Sequence, residues 1–364
     1  MPILDKNDSA KVKEYEDFVK NSPYTNAMQD MAWAKVKNNW SSEYVYLEEN
    51  GKITAAVSIL GIKAVDDKTL FYAPRGPVCD FYDVETTKKL INEAKPLFEK
   101  YNAFLLRMDP CVQTDEALIE KYRAAGYTFR GQGFHPKSYS NPLHEIMLKV
   151  EGKTEEELMA GFSTLTRRHI RAGIKAGVVT RWSRSEEDLK TFYELTKIMA
   201  NRHGIKYRPF EYFERLLAAY PQIEICTCEY EGEPVASMLS FPYKDTLWYI
   251  YGATQTMHGK VAPGYTCIWN LILRTKELGL KWFNMGGTYS LSMDEGLYFF
   301  KNGFCRANDP FTWIGELDVV IDQDAYKKFV GRWDDLPEAK SDADKADAAS
   351  AGEAAKTDGD SKAE

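Results

Sequence analysis

The sequence lacks the marks of several protein classes. Only five histidines are scattered over its 364 residues, and there is neither an HExxH nor a Cys/His cluster. No metal site is expected from such a pattern. The six cysteines (Cys79, Cys111, Cys226, Cys228, Cys267 and Cys305) form no CxxC pair and no regular framework. They are expected to be free thiols in a reducing cytoplasm, with Cys226 and Cys228 on one face of a strand. No window approaches the roughly 18 apolar residues that cross a bilayer. The opening MPILDKNDSAKVKEYEDF has no apolar signal core, so a cytoplasmic chain without an integral membrane segment is expected.

What is present is a globular composition, 44% hydrophobic and 13% aromatic. The length exceeds one average domain and predicts two. The net charge is -7, but Pro337 to Glu364 holds eight acidic and four basic residues and accounts for four of those charges. That tail has no large apolar residue and is expected to be disordered.

Two halves of the chain carry the same order of features. YVYLEENGKITAAVSIL reads as a hairpin turning at Asn50-Gly51, and EICTCEYEGEPVASMLSF as a second one turning at Glu231-Gly232. An aromatic strand follows in each, LFYAPRG against LWYIYGA. Then comes a helix, TTKKLINEAKPLFEKY against TCIWNLILRTKELG, and a buried strand, AFLLRMDP against KWFNMGG. The halves close alike, with AGYTF against NGFCR. This order predicts a mixed α/β (α+β) fold of two tandem N-acyltransferase-like (GNAT-like) domains with a cleft between them. The expected boundaries are 1–150 and 151–318. A C-terminal helix within 319–336 is expected to pack back on the first domain, and 337–364 is the tail.

Folds of this type often hold acetyl-CoA on a glycine-rich loop ahead of a helix N-terminus. Here that slot reads HGKVAPGY in the second half and GPVCDFYD in the first. Gly259 and Gly264 remain, but Pro263 removes a backbone donor and there is no G-x-G. A CoA site is therefore not expected, nor any other cofactor.

Two stretches carry positive charge in unusual settings. Arg167, Arg171 and Lys175 recur every four residues in FSTLTRRHIRAGIKAGV, forming one helical stripe that Arg168 and His169 broaden. No acidic residue interrupts residues 158–185. The stripe is either a solvated face or an anion site suited to the phosphates of RNA or a nucleotide-linked substrate. Lys301 sits in GLYFFKNGF among Phe299, Phe300 and Phe304, a dozen residues after the pair Gly286-Gly287. It is either a snorkelling lysine beside a bulge or a functional cation. In the first half the position matching it is Ala124, so the repeated fold does not demand a lysine there.

From about residue 15 to 330 the chain resembles the Fem/MurM (FemABX) peptidyltransferases, which pass amino acids from aminoacyl-tRNA to peptidoglycan precursors. The resemblance rests on PYTNAMQDMAWAKVK with Gln29, Trp33 and Lys37, on LTRRHIRAGIKAGV, and on NRHGIKYRPFEYF with His203, Gly204, Arg208 and Tyr212. YIYGA, APGYTCIWNLI, Gly286-Gly287 and FFKNGF complete it in the same order. About 40 residues separate Ala172 from Tyr212 without sustained heptads, so the helical arm of many members does not fit. The chain looks like the arm-less, FemX-like branch.

The resemblance implies an aminoacyltransferase that adds Ala, Ser or Gly to the third-position lysine amine of UDP-MurNAc-pentapeptide or lipid II. It would work as a monomer, in the cytoplasm or at the inner face of the membrane. Lys37 and Arg208 would hold the diphosphate, with Tyr212 and Tyr251 as donors in the same cleft or as core. Arg167, Arg168, Arg171, Lys175 and Lys301 would face the tRNA. The acceptor amine has a free pKa of about 10.4, so exposing its neutral form at pH 7 costs roughly 4–5 kcal/mol. Asp109 is the candidate to orient it and accept the proton, or else caps the turn at Asp109-Pro110. Lys301 would stabilise charge developing at the ester carbonyl. Competing assignments are an acyltransferase using CoA or another small acyl donor, an aminoacyl-tRNA–protein transferase, and a non-catalytic precursor- or tRNA-binding protein.

Overall fold

The computed structural model describes residues 2–130, 139–255, 261–306 and 309–334. Its strands are β1 (Ser41–Glu49), β2 (Lys52–Val65), β3 (Lys68–Ala73), β4 (Ala103–Met108), β5 (Thr128–Arg130), β6 (His144–Lys149), β7 (Val179–Ser183), β8 (Glu224–Tyr230), β9 (Glu233–Tyr243), β10 (Thr246–Thr254), β11 (Trp282–Thr288), β12 (Phe311–Thr312) and β13 (Glu316–Val320). Its helices are α1 (Ser9–Asn21), α2 (Met31–Val36), α3 (Val84–Lys100), α4 (Glu116–Ala124), α5 (Glu155–Gly161), α6 (Thr164–Lys175), α7 (Glu186–His203), α8 (Phe210–Ala219), α9 (Pro263–Glu277), α10 (Gly296–Asn302) and α11 (Gln323–Asp334).

Local chemistry explains the repeated elements. Asn50-Gly51 and Glu231-Gly232 all have positive φ, between 52° and 82°, as tight hairpin turns that follow the strand twist require. They close Glu49 on Lys52 and Tyr230 on Glu233. Asp83 caps α3 by accepting from the Thr86 N–H, and the helix buries Leu90, Ile91, Ala94, Leu97 and Phe98 along one stripe. Pro263 occupies the first position of α9, where its missing N–H breaks no helical bond.

These elements assemble into two sheets. The first has the order β1-β2-β3-β4-β13-β5, the second β12-β6-β11-β10-β9-β8-β7. Each has one parallel pair, β3 with β4 and β10 with β11. Helices α3 and α4 cover one face of the first sheet, while α1 and α11 cover the other. The second sheet is packed by α9 with α5 and α10 on one face and by α7 and α8 on the other. Cys226 and Cys228 lie buried on one face of β8 beneath α9, and Cys267 Sγ is 3.7 Å from Cys226 Sγ.

Strand exchange crosses the expected boundaries at 150/151 and 318/319. β6 pairs antiparallel with β11 in the second sheet, and β13 pairs with β4 and β5 in the first. The first sheet is therefore incomplete without residues 316–320, and α11 begins only at Gln323. Arg107, wholly buried, explains why β13 returns. Its guanidinium donates two 2.7 Å bonds to Asp318 and lies 3.2 Å from Glu316. Burying that charge unpaired would cost several kcal/mol. The domains also meet directly, α2 against α8. Tyr220 donates to the Ala27 carbonyl at 2.8 Å and Tyr243 to Asp30 at 2.8 Å. The acidic tail lies outside the described residues. Among those described, no helix is long and apolar enough to cross a membrane.

Candidate active site between the domains

A cavity of about 520 Å³ opens between the two domains. From the first domain Trp33, Lys37, Trp40, Tyr72 and Asn141 line it, and from the second Arg208, Tyr212 and Tyr251. Lys37 follows the last residue of α2 and Arg208 lies two residues ahead of α8, the two helices packed across the interface. Lys37 Nζ lies 5.6 Å from the centre of the Tyr212 ring and the Arg208 guanidinium 5.4 Å from it. Neither cation has a carboxylate partner among the described residues. Burial, then the nearby Arg208, lowers the Lys37 pKa to about 8. Two cations around one aromatic ring, without local anions, suit a ligand that brings its own negative charge. Tyr212 and Tyr251 share a 3.0 Å hydroxyl–hydroxyl bond. Tyr212 is also packed into the core beside Phe213, so packing and polar roles coexist in that residue.

Asp109 is buried behind this cavity rather than lining it. It accepts from the Tyr72 hydroxyl at 2.7 Å, the Arg75 N–H at 2.6 Å, and the Asn141 N–H and Nδ2 at 3.0 and 2.9 Å. Three of these four donors reach Oδ2 and one reaches Oδ1, so both oxygens of the carboxylate are held in place. Tyr72 and Asn141 were not legible as site residues, because only the fold brings β3 and the segment after Tyr139 to one carboxylate.

Lys301 lies elsewhere, buried on α10. Its Nζ donates to the Gly287 carbonyl at 2.8 Å, and its two other donor positions have no partner among the described residues. Burial lowers its pKa to about 8, against the opposing pull of Glu145 and Glu295. The paired glycines form a β-bulge: Asn284 faces Met147 and Gly287 faces Glu145, one residue more on β11 than on β6. Gly286 has φ +77°, and a side chain there would lie 3.7 Å from Lys301 Nζ.

The basic helix α6 abuts the helix of Lys301. The Ser163 N–H donates to the Gly303 carbonyl at 2.8 Å, and His169 stacks on Tyr265, which in turn packs edge-on against Phe300. Arg168, Arg171 and Lys175 are exposed, whereas Arg167 turns back to the Ala160 carbonyl at 3.0 Å. A groove beside the helix is lined by Arg167, Arg171 and also Glu155 and Glu156. The cationic stripe is thus flanked by acid from α5, which the uninterrupted run 158–185 did not reveal. Of the degraded glycine loop, Gly259 falls outside the described residues. Pro263 stands at the start of α9, where a phosphate would seek an N–H.

Comparison with known proteins fits this geometry. The FemAB family model matches residues 10–230, and an acetyltransferase (GNAT) domain model matches residues 162–302. A UDP-N-acetylmuramoylpentapeptide-lysine N(6)-alanyltransferase of Weissella viridescens is 33% identical over 340 residues, covering 91% of this chain and 99% of that protein. A lipid II:glycine glycyltransferase of Staphylococcus aureus is 25% identical over 272 residues, covering 73% of this chain and 61% of that protein. The crystal structure of FemX superposes with a TM-score of 0.78 at 21% identity, covering 90% and 99% of the two chains. With the family model spanning well over half the sequence and a relative matched nearly end to end, the chain belongs to the FemAB family.

Proposed function

We propose that this chain transfers an amino acid from its tRNA ester to the side-chain amine of the third-position lysine in a peptidoglycan precursor, in the cytoplasm. The observation that carries the proposal is the interdomain cavity in which Lys37 and Arg208 flank Tyr212 without a protein anion. A diphosphate supplies the missing charge, and both cations can donate to it. The relative matched over nearly its full length acts, by its name, on the UDP-linked pentapeptide and carries alanine. The glycyltransferase matched by name to lipid II is covered only in part. The UDP-linked acceptor and alanine are therefore the favoured pair.

The chemistry asks little beyond placement and charge. The amine attacks the ester carbonyl, the C–N bond forms as the bond between the carbonyl carbon and the ribose oxygen breaks, and one amine proton ends on the ribose oxygen. Lys301 serves as the buried cation for the charge that develops on the way, with α6 and its exposed Arg168, Arg171 and Lys175 as the adjoining RNA face. Asp109 acts by fixing the Tyr72 hydroxyl and Asn141 in the cavity wall.

The test is to incubate the purified protein with a mixed pool of charged tRNAs and UDP-MurNAc-pentapeptide. The mass gained by the precursor identifies the amino acid; no gain with any charged tRNA rejects the proposal. Lys301→Met is expected to lower transfer strongly with the fold intact, and a wild-type rate in that variant removes the lysine from the mechanism.

A further inference from the structure

The cavity and Lys301 belong to different walls of the interface, yet buried polar groups run between them. Asp109 accepts from the Arg75 N–H at 2.6 Å. The Arg75 guanidinium donates to Glu145 Oε1 at 2.7 Å and to the Pro142 carbonyl at 3.0 Å. Glu145 Oε2 accepts from Asn284 Nδ2 at 2.9 Å, and Asn284 Oδ1 accepts from the Gly286 N–H at 2.7 Å. The bulge so fixed presents the Gly287 carbonyl, opposite Glu145, to Lys301 Nζ. Arg75 itself is held at φ +55°, a conformation that non-glycine residues rarely adopt.

We propose that Glu145, clamped between Arg75 of the first domain and Asn284 of the second, is a positioning residue that keeps the Lys301 ammonium charged and in place and ties it to the wall of the acceptor cavity. The proposal rests on the role given to Lys301 above. Four buried ionisable side chains, Asp109, Arg75, Glu145 and Lys301, at one junction are an expensive way to join two sheets, since apolar residues of like volume do so at least as stably. The charged and titratable groups facing Lys301 are Glu145 from β6, Glu295 at the start of α10 and the Cys305 thiol beyond its end. Glu145 thus counters the burial that already favours the neutral amine. Its carboxylate reaches Lys301 through the field and through the Asn284-braced bulge, and reaches the cavity through Arg75 and Asp109.

The experiment compares wild-type protein with Glu145→Gln and with the double variant Arg75→Met/Glu145→Gln, which leaves neither member of the Arg75–Glu145 pair charged without the other. Transfer from alanyl-tRNA to UDP-MurNAc-pentapeptide is followed against pH, and the Lys301 ammonium is titrated by NMR of isotopically labelled lysine. The alkaline limb of kcat and the lysine titration are both expected to move down by about one pH unit. The precursor KM should stay within about twofold. An unmoved titration in folded variants overturns the proposal, as does a rise in KM at constant kcat. Unfolding of both variants would assign the pair to bracing alone and overturn it too. The lysine titration does not depend on turnover. A Lys301→Met variant that transfers normally therefore defeats the catalytic role of the lysine without deciding whether Glu145 holds it.

Discussion

At the scale of the residue, two lysines titrate near neutrality for the same reason. Burial lowers both Lys37 and Lys301 to about 8, so each is a cation below that pH and loses its charge as pH rises through it. Their effects separate kinetically. Lys37→Met and Arg208→Met are expected to raise the KM for UDP-MurNAc-pentapeptide about 10- to 100-fold each, the worth of one charge-assisted hydrogen bond, with kcat little changed. A loss of kcat alone would contradict their placement on the diphosphate. In the wild type the precursor KM should rise above about pH 8, and Lys37→Met should abolish that rise. Steady-state kinetics across pH reads both. Lys37, Arg208, Tyr212 and Tyr251 were all legible from sequence, and the fold gathers them in one cavity. Arg75, Glu145 and Asn284 were not, because nothing in APRG, HEIM or FNMGG signals that the turn after β3 meets two strands of the second sheet there.

At the scale of the element, the glycines around Lys301 have distinct duties. Gly286 and Gly287 make a bulge, and a side chain on Gly287 would meet Pro142 at 2.3 Å. Gly303, in NGF, lets α6 approach: a side chain there would lie 2.4 Å from Thr166 Oγ1 and 3.1 Å from the Phe300 carbonyl. Gly303→Ala is therefore expected to cost about 1–3 kcal/mol by overpacking, read from urea unfolding, and to lower transfer by displacing α10. Gly331→Ala, in open space on the exposed face of α11, is the control. It should be neutral or gain roughly 0.5–1 kcal/mol. The hairpins and the basic helix were predictable because turn chemistry and a four-residue period are local signals. The bulge was not, since it exists only in the register of β11 against β6.

At the scale of the whole molecule, strand exchange makes the two domains interdependent. A fragment of residues 1–150 carries β6 without its partner β11 and lacks β13, leaving Arg107 buried without Asp318 and Glu316. That fragment is expected to show no cooperative unfolding transition by circular dichroism, whereas the intact chain does. A fragment that folds cooperatively would show that β13 is dispensable. The interdependence also holds the cavity walls and the Lys301 bulge in fixed relation, since β6 supplies Glu145 to the second sheet while Arg75 stays in the first.

The sequence alone determined that the chain has two like α/β units, because their hairpins, helices and strands are written in short periods and turns. It also singled out Arg167, Arg171 and Lys175, because a four-residue period is visible in one dimension. Only the tertiary structure decided which strands complete which sheet, that four donors hold the Asp109 carboxylate, and that Glu145 stands between the interdomain cavity and Lys301. Those facts depend on pairings between residues 32 to 211 positions apart, and the free energy of such pairings comes from burial and register that no local pattern encodes.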